Sequence, residues 1–560
     1  MQETVSWRFK MNFNMRLKVR NIGSCIAFVS GLALLLISPR SGEAATLPEL
    51  PRVFMDTTYS PPTGNTITVN AGGNFQAALN SASLGDTIVL QAGATFVGPF
   101  TLPNKTSGSG WIYIRSSAYA NLPPPGSRVS PSYAANMPKI VVGANTGPAI
   151  ATVNNSHHFR FVGIEFKPVG ADFIFSLIEM GNGNTSNTTV PDNLVFDRCY
   201  IHGSSNATNS GRRGFLLVGT NLAIVDSHIS GFYDDGSDSQ AIEVYQGNGP
   251  FKIVNNYLEA ASENINFGGI DPSIPNSVPS DIEIRRNHFF KPLSWIGAGH
   301  NVKNLLEFKN AQRVLVQGNV FENNWLDGQS GFSILITPRN QSGGCPWCIT
   351  QDITIRLNKL INLGAGFNIS GDDDIQPSQR TRRVLIENNI IEVTGLRSAD
   401  NRIFQFLRGA VDITVRHNTG ILFAGGAFGL AVNAPKSDQF DFRDNLLANG
   451  SYGFFGQGTA QGIPTLDAYF TNYTFTNNAI IGPFSGGTCC YPPSTFFPIN
   501  TAAVGFVNFA GGNYTLTAGS PFRSAASDGK DIGADIAAVV AAGAGATVSG
   551  LPAPTSLQAQ

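Results

Sequence analysis

The chain has 560 residues, of which 13% are charged, and it contains 61 glycines, 39 phenylalanines and a formal net charge of −1. Its length exceeds what one compact core usually supports, and its composition favours many short strands joined by tight turns over helices. The near-neutral charge excludes the strongly basic surface that is typical of nucleic-acid-binding proteins.

Residues 1–45 have the pattern of a secretory signal peptide. Arg16, Lys18 and Arg20 precede the apolar run 26–37, and small residues follow it, where we expect cleavage. The apolar run is short for a membrane span. We therefore expect an exported protein, extracellular or periplasmic, with no membrane attachment once the signal is removed. Without these residues the charge is −5, from 31 basic and 36 acidic side chains.

A Pro-rich lead, residues 46–73, precedes a segment with helical periodicity. Phe75, Ala78 and Leu79 share one face of a short predicted helix, and a strand is predicted at Thr87–Leu90. A helix that covers the open end of a stack of strands protects their unpaired edge. We interpret this helix as an N-terminal cap.

A run in which apolar residues alternate, followed by a turn and a second short strand, recurs eleven times after the cap. The runs are 159–166, 194–201, 222–229, 251–258, 282–289, 314–321, 353–360, 384–391, 413–420, 440–447 and 473–480, at spacings of 27 to 39 residues. Alternation with period two predicts strands that have one buried face. Repetition at this period predicts a solenoid whose coils bury their faces against their neighbours.

The sixth position of the run is Asn in eight of the eleven copies, from Asn256 to Asn478. Asn tolerates the left-handed backbone conformation, and a stacked amide can hydrogen-bond to both neighbours. The pattern therefore predicts a ladder of Asn side chains along one corner of the solenoid, with a structural role.

The repeat and its Asn ladder resemble the right-handed parallel β-helix of the pectate-lyase-like superfamily, over roughly residues 74–536. The resemblance implies an all-β, single-stranded solenoid of eleven or more coils, with three strands in each coil. Residues 513–535 resemble the closing segment of secreted members, and the Ala/Gly-rich tail 537–560 is predicted to be flexible. The superfamily contains lyases, hydrolases, epimerases and adhesins, so the fold does not specify a reaction.

In that fold, sugar polymers lie along the first sheet, in a groove walled by loops. The resemblance places the first strands of successive coils at 241–245, 264–267, 305–309, 333–337, 367–370 and 404–406. Alternation within these strands predicts one outward-facing column, formed by Glu243, Asn266, Glu307, Leu335, Asn368 and Gln405.

The predicted catalytic residues are Glu243, Glu307, Lys303 and Lys309. The two glutamates lie two rungs apart, about 9.6 Å, at the upper edge of the separation used in inverting glycoside hydrolysis. The two lysines beside Glu307 also suit β-elimination from a uronate, in which one cation neutralises the carboxylate and a base removes the adjacent proton. Neighbouring cations can lower the pKa of a lysine that acts as the base.

The leading hypothesis is a polysaccharide lyase that acts on an acidic, uronate-containing glycan. The alternatives are an inverting hydrolase that uses Glu243 and Glu307, and a non-catalytic surface or adhesion protein; the same charges are also compatible with a solvated surface and an ion-pair strip. We expect a monomer. The predicted substrate contacts are Asn266, Asn368, Lys291, Trp295, His300 and Trp325.

A calcium site is also predicted, since acidic loops supply the hard oxygen ligands that this ion prefers. The candidate ligands are Asp238 and Asp271, in loops that flank the groove. Among the cysteines, Cys345 and Cys348 are expected to form a local disulfide in an oxidising compartment. Cys199 falls at a repeat turn and is predicted to be buried, while the pairing of Cys489 and Cys490 is left open.

Overall fold

The structure is a computed structural model that describes residues 45–398, 400–482 and 490–547. The predicted signal, up to residue 44, and Cys489 lie outside the described residues. Among the described residues no helix combines the length and the apolar character needed to cross a membrane.

Three long sheets, in which every strand pairs in parallel with its neighbours, form the body of the protein. Each coil gives one strand to each sheet in turn, which makes a right-handed parallel β-helix, as predicted, because parallel crossovers are right-handed. Sheet 1, which contains the predicted first strands, consists of Phe100–Leu102, Ile150–Thr152, Ser176–Met180, Arg213–Val218, Gln240–Gln246, Glu263–Phe267, Leu306–Phe308, Phe332–Ile336, Ala365–Ser370, Arg402–Leu407, Ala427–Val432 and Phe454–Gly456.

Sheets 2 and 3 contain the two halves of the eleven predicted runs. Sheet 2 consists of Thr66–Val69, Thr87–Leu90, Ile112–Ser116, His157–Val162, Asp192–Asp197, Thr220–Val225, Phe251–Val254, Ser280–Arg285, Ala311–Gln317, Thr350–Arg356, Arg382–Glu387, Val411–Arg416, Ser437–Arg443 and Phe470–Thr476. Sheet 3 consists of Thr95–Val97, Lys139–Val142, Glu165–Pro168, Tyr200–His202, His228–Phe232, Tyr257–Ala260, His288–Phe290, Val320–Asn324, Lys359–Leu363, Ile390–Val393, Thr419–Leu422, Leu446–Ala448 and Ala479–Ile481.

The helices are few and short. The α-helices are α1 (Phe75–Ser81), α2 (Ile463–Tyr469), α3 (Thr501–Val504) and α4 (Ile536–Ala542), and the 3₁₀ turns are Tyr119–Asn121, Pro131–Asn136, Leu293–Trp295 and Leu396–Ser398. The N-terminal cap is confirmed: α1 begins after the N-cap Asn74, and Phe75, Ala78 and Leu79 are its buried residues. The core consists largely of stacked rows of aromatic and aliphatic side chains, in which Phe161 and Phe196 have ring centroids 4.9 Å apart.

The Asn ladder is confirmed, but its conformation differs from the prediction. Asn256 donates from both its backbone N and its Nδ2 to Oδ1 of Asn287, at 2.8 and 3.1 Å, and the same pair of bonds recurs from coil to coil up to Asn445, whose partner is Asn478. The left-handed residue is the one before the ladder position, for example Asn255 with φ of 58°. The left-handed conformation that the turn requires is adopted by the residue before the ladder position. The ladder Asn is therefore free to stack its amide.

Residues 46–60 of the lead run along the outer face of sheet 2. The Thr46 N–H donates to Oδ1 of Asp412 at 2.8 Å, and the Arg52 N–H donates to Oδ1 of Asp281, also at 2.8 Å. The lead therefore crosses the coils from late to early ones, bonded to aspartates at the start of sheet 2 strands.

The C-terminal segment covers the outer face of sheet 3. It forms an antiparallel hairpin, Phe506–Asn508 with Asn513–Leu516, followed by α4. Its apolar side chains pack on those of the sheet, in a cluster that contains Ile390, Ile421, Leu446, Ala479, Ile481, Val504, Tyr514, Phe522, Ala526, Ile532 and Val539. The prediction of a flexible tail from residue 537 is therefore wrong for α4, whose Val539 is buried.

The Cys345–Cys348 disulfide and the burial of Cys199 are both confirmed. Burial raises the pKa of the Cys199 thiol to about 12, so this side chain behaves as a small core residue.

Candidate active-site groove

The predicted outward column of sheet 1 is present, in the register predicted from the alternation of apolar residues along the strands. Glu243 pairs with Asn266 on the next strand, and Asn266 pairs with Glu307 on the one after. These side chains form a groove floor that is packed closely: Glu243 is 1% exposed and Glu307 is 2% exposed. Asn266 joins the column by donating from Nδ2 to Oε2 of Glu243 at 3.0 Å. The two glutamates are therefore buried polar groups and not a solvated surface.

A second polar column, which sequence reasoning missed, lies beside the first. Arg213 Nε donates to Oε1 of Gln240 at 3.0 Å, and Gln240 Nε2 donates to Oε2 of Glu263 at 2.8 Å. On the next rung, Asn304 Nδ2 lies 3.3 Å from Oε2 of Glu307. Strict alternation would turn Glu263 inward, but the chain rounds the corner from sheet 3 here, so Asn264 fills the interior and bonds to backbone carbonyls there.

Lys309 lies against the first column, as predicted. Its Nζ is 3.4 Å from Oε2 of Glu307. A Cβ at Gly268, where φ is +99°, would lie 2.9 Å from Cβ of Lys309, and the neighbouring Gly269 lies beneath the same side chain. The two glycines thus let the lysine lie flat along the floor of the groove.

Lys303 forms the neighbouring wall of the groove with Asp238. Its Nζ lies 2.5 Å from Oδ1 of Asp238 and 3.9 Å from Oε1 of Glu263. Asn301 also donates from Nδ2 to Asp238, at 2.9 Å. The cationic end of Lys303 is therefore held by one close carboxylate and lies near a second.

The electrostatics of the floor follow from burying several charges together. Burial raises the pKa of Glu243 to about 8, against the attraction of Arg213. Burial, reinforced by Glu307, also raises the pKa of Glu263. Burial disfavours the charged form of Lys309, but the carboxylates of Glu307, Glu263 and Glu243 outweigh it and raise its pKa above the usual value. Lys309 is therefore a firmly held cation among acids that are easily protonated.

Four buried oxygens of the floor have no hydrogen-bond partner among the described residues. They are Glu243 Oε1, Glu263 Oε1, Asn266 Oδ1 and Asn304 Oδ1. A buried polar atom without a partner calls for an explanation, such as an ion or a ligand. Carboxylate and amide oxygens are the donors that Ca²⁺ prefers, so the chemistry of this set fits a hard divalent cation.

The groove continues over later coils than those that carry the predicted catalytic residues. A cleft of about 780 Å³ reaches from Asp238, Lys303, Glu307 and Lys309 to Asn433, and is also lined by Arg339, Asp372, Asp373, Asp374 and Arg408. Arg339 Nη1 bonds to Asp373 and Asp374, and Arg408 Nε bonds to Asp372. The signal for this part of the groove was the acidic run that directly follows the strand Ala365–Ser370.

Two predicted substrate contacts are wrong, because the side chains have no exposed surface. Trp325 is fully buried in a small apolar cluster. Lys291 is also fully buried, and its Nζ donates to the backbone carbonyls of Ala260, Ala261 and Ser262. Its role in the structure is to fix the corner that precedes Glu263.

The other predicted contacts have mixed placements. Trp295 and His300 are largely buried, where His300 stacks on Tyr233 and its Nδ1 lies 2.7 Å from Oδ1 of Asp235. Asn266 and Asn368 remain on the groove face, in the outward column. Neither tryptophan presents an open ring to the groove.

The two predicted metal ligands do not come together. Asp238 precedes a sheet 1 strand and lines the cleft, whereas Asp271 follows the next strand and accepts hydrogen bonds from the backbone N–H groups of Ser342 and Gly344. Asp238 and Asp271 therefore lie at opposite ends of neighbouring sheet 1 strands. Among the described residues, the one group of three acidic or His ligand atoms within 4.8 Å of one another is His417, Asp444 and Asp528, at the corner of sheets 2 and 3.

Comparisons with known proteins give similar solved structures only. No family model and no curated protein matches the chain. Pectate lyase Pel9A is 14% identical over 84% of this chain and 96% of that one, with a TM-score of 0.33. A mannuronic-acid-specific polysaccharide family 6 lyase from human gut microbiota is 12% identical over 78% of this chain and 91% of that one, with a TM-score of 0.45.

A hydrolase is also among the similar structures. The catalytic unit of a GH87 α-1,3-glucanase from Streptomyces thermodiastaticus is 11% identical over 79% of this chain and 69% of that one, with a TM-score of 0.42. Similarities this weak carry no argument about activity. The fold stands on the sheets themselves: the protein is a right-handed parallel β-helix with an acidic, lysine-bearing groove along sheet 1.

Proposed function

We propose that the protein is a polysaccharide lyase that cleaves an acidic, uronate-containing glycan by β-elimination in the groove along sheet 1. The observation that carries the proposal is the clustering of Lys303, Lys309 and Glu307, which line the open cleft, with the buried Glu243 and Glu263 of the two preceding rungs. A groove along the solenoid axis suits an extended polymer. Fixed cations on its floor suit a substrate that carries carboxylates.

The two lysines have different roles in this proposal. Lys309 stays protonated because the surrounding carboxylates raise its pKa, so it stabilises the negative charge that develops on the uronate carboxylate. Lys303 is the base that removes the proton next to that carboxylate. To act as the base, Lys303 must first pass on its own proton, and Oδ1 of Asp238, 2.5 Å from its Nζ, is in position to accept it. Glu243 and Glu307 hold Lys309, the sugar or a cation in place.

A divalent cation such as Ca²⁺ forms part of the proposal. The unpartnered oxygens of Glu243, Glu263, Asn266 and Asn304 would hold it, and when bound it would help to neutralise the uronate carboxylate. Ser262 and Glu263 are kept in position for this by the bonds from the buried Lys291 to the backbone of the preceding corner.

One observation favours a hydrolase as the second candidate. Burial raises the pKa of Glu243 to about 8, which suits a general acid, while Glu307 two rungs away would act as the base of an inverting hydrolase. Asn266 occupies the rung between them and binds Glu243, which favours the lyase.

The test is the ultraviolet absorbance of the new carbon–carbon double bond when protein that lacks residues 1–45 meets a panel of uronic-acid polysaccharides, with Ca²⁺ and with a chelator. We expect the absorbance to rise with the parent protein. The rate of this rise should be at least about a hundredfold lower for Lys309→Ala and for Lys303→Ala. Lys359→Ala, on sheet 3, is the matched control. New reducing ends without a rise in absorbance would support the hydrolase. If neither product forms, the result would support a binding protein.

Export belongs to the same proposal. The Cys345–Cys348 disulfide supports an oxidising compartment outside the cytoplasm, where such a glycan would be met. Recovery of the protein from the medium or the periplasm with residues 1–45 removed is the expected result, and a full-length cytoplasmic product would contradict it.

A further inference from the structure

Two arginines and an exposed phenylalanine form a stack at the early end of sheet 1. Phe175 is 54% exposed, in the turn before the strand Ser176–Met180. Cζ of Arg212 lies 4.7 Å from the centroid of its ring, and Cζ of Arg213 lies 5.1 Å from it. The three side chains are outside the cleft described above.

The two positive charges of this stack are not neutralised by the described part of the chain. No carboxylate oxygen of a described residue lies within 4.0 Å of either guanidinium, although Arg212 is only half-buried. Arg160 and Arg198, which are buried like Arg213, both bond to Asp197, at 2.7 and 2.8 Å. Arg213 is 6% exposed and its Nε donates a hydrogen bond to Oε1 of Gln240. The buried Nε of Arg212 has no hydrogen-bond partner within the described part of the chain.

Burying cations without partners is costly. The cost is visible at Arg213, where burial lowers the pKa although Glu243, Glu179 and Glu263 attract the charge from beyond ion-pair distance. Packing of the core does not require Phe175 at this place, because this residue is exposed. A ligand that carries a negative charge would supply the missing partner.

The stack lies in line with the candidate active site. Arg213 pairs with Gln240, and Gln240 pairs with Glu263, so Arg213 is two rungs from Glu263, about 9.6 Å along the axis. The chain of bonds from Arg213 through Gln240 to Glu263 joins the two places. A polymer that lies along sheet 1 over Glu263 would pass Arg213 with a later sugar.

We propose that Arg212, Arg213 and Phe175 form a distal subsite that binds a carboxylate-bearing sugar of the polymer, two coils before the reaction centre. The guanidinium groups bind the carboxylate through paired N–H donors, and the open surface of the Phe175 ring packs against the apolar face of the sugar. The inference rests on the proposed function and narrows its substrate to chains that carry acidic sugars at more than one position.

The experiment measures equilibrium binding by calorimetry in the Lys309→Ala background, which removes turnover. The probes are oligogalacturonates and oligomannuronates, each as a disaccharide, a hexasaccharide and a methyl-esterified hexasaccharide without carboxylate charge. We expect Arg212→Ala and Phe175→Ala each to weaken binding of a charged hexasaccharide at least about tenfold. Binding of the disaccharide and of the ester should be unchanged.

These two variants leave the buried Arg213 and its bond to Gln240 in place, so folding is preserved, and thermal melting checks this. Arg382→Ala, an exposed arginine of sheet 2, is the control and should bind like the parent. Equal binding of the charged hexasaccharides by the parent, Arg212→Ala and Phe175→Ala would overturn the subsite, as would no binding of any hexasaccharide. Binding that depends on Arg212, in a protein with no eliminase activity, would retain the subsite and reject the lyase.

Discussion

At the scale of the residue, the groove owes its properties to burial. Glu243 and Glu263 are polar groups that most proteins keep in water, and here both are buried, while Lys309 lines the cleft beside them. Removing water raises the cost of charge and also strengthens each interaction between charges. Because burial raises the pKa values of Glu243 and Glu263, the protonation of this site depends on pH close to neutrality.

The raised pKa of Glu243 predicts how stability changes with pH. Folding raises this pKa to about 8, so the folded state holds a proton that the unfolded state loses above about pH 4.5. The contribution is complete below pH 4.5 and is lost as the pH rises through 8. We expect the melting temperature to fall by a few degrees between pH 5 and pH 8, and to fall less in Glu243→Gln. Equal slopes for the two proteins would contradict the assignment.

The residues that the sequence predicted and those that it missed differ in a physical way. Glu243, Asn266 and Glu307 lie in the middle of strands, where alternation alone decides which way a side chain faces. Glu263 and Asn304 lie where the chain rounds a corner between sheets, and alternation fails there. Trp325 and Lys291 were predicted to contact substrate from residue type alone. The type of a residue does not show how deeply its side chain is buried.

At the scale of the element, the Asn ladder ties each coil to the next. Asn358 receives two bonds from Asn319, and its own Nδ2 donates to Oδ1 of Asn389 and to the carbonyls of Val316 and Arg356. The ladder was predictable because the same turn recurs at a fixed position. Its neighbouring left-handed residue was not predictable, because Asn, Asp, Arg, His, Leu and Gly all occupy it.

Removing one ladder side chain should therefore destabilise the solenoid. Asn358→Ala leaves buried donors on Asn319 without an acceptor, and we expect a loss of about 3 kcal/mol in the free energy of unfolding, measured by chemical denaturation. Asn187→Ala, in an exposed loop, is the control and should lose less than about 0.5 kcal/mol. Similar losses for both variants would mean that the ladder makes no particular contribution to the free energy of unfolding.

At the scale of the whole molecule, segments from outside the coils cover two of the three sheets. The lead lies on sheet 2, and the C-terminal hairpin and α4 lie on sheet 3. Sheet 1 alone keeps its groove open among the described residues. The composition gave no sign of this, since the Ala/Gly-rich stretch that forms α4 has the composition of a flexible tail.

Adjacent valines in α4 test the covering of sheet 3. Val539 is 3% exposed and belongs to the apolar cluster, whereas Val540 is 67% exposed. We expect Val539→Asp to release α4 and to lower stability by about 3 kcal/mol. Val540→Asp should be neutral. Limited proteolysis followed by mass spectrometry should show cleavage near residue 536 in the first variant only, and equal resistance of both would contradict the docking.

The lead also sets an order of events during synthesis. The Thr46 N–H bonds to an aspartate 366 residues further along the chain. When the ribosome has made the early coils, which can already stack on one another, Asp412 does not yet exist. Thr46 is made before the coils but must therefore dock late, after the coil that contains Asp412 has formed, whereas Arg52 binds Asp281 of an earlier coil. Contacts between residues so far apart in sequence form slowly, so docking of the start of the lead is a slow, late step of folding.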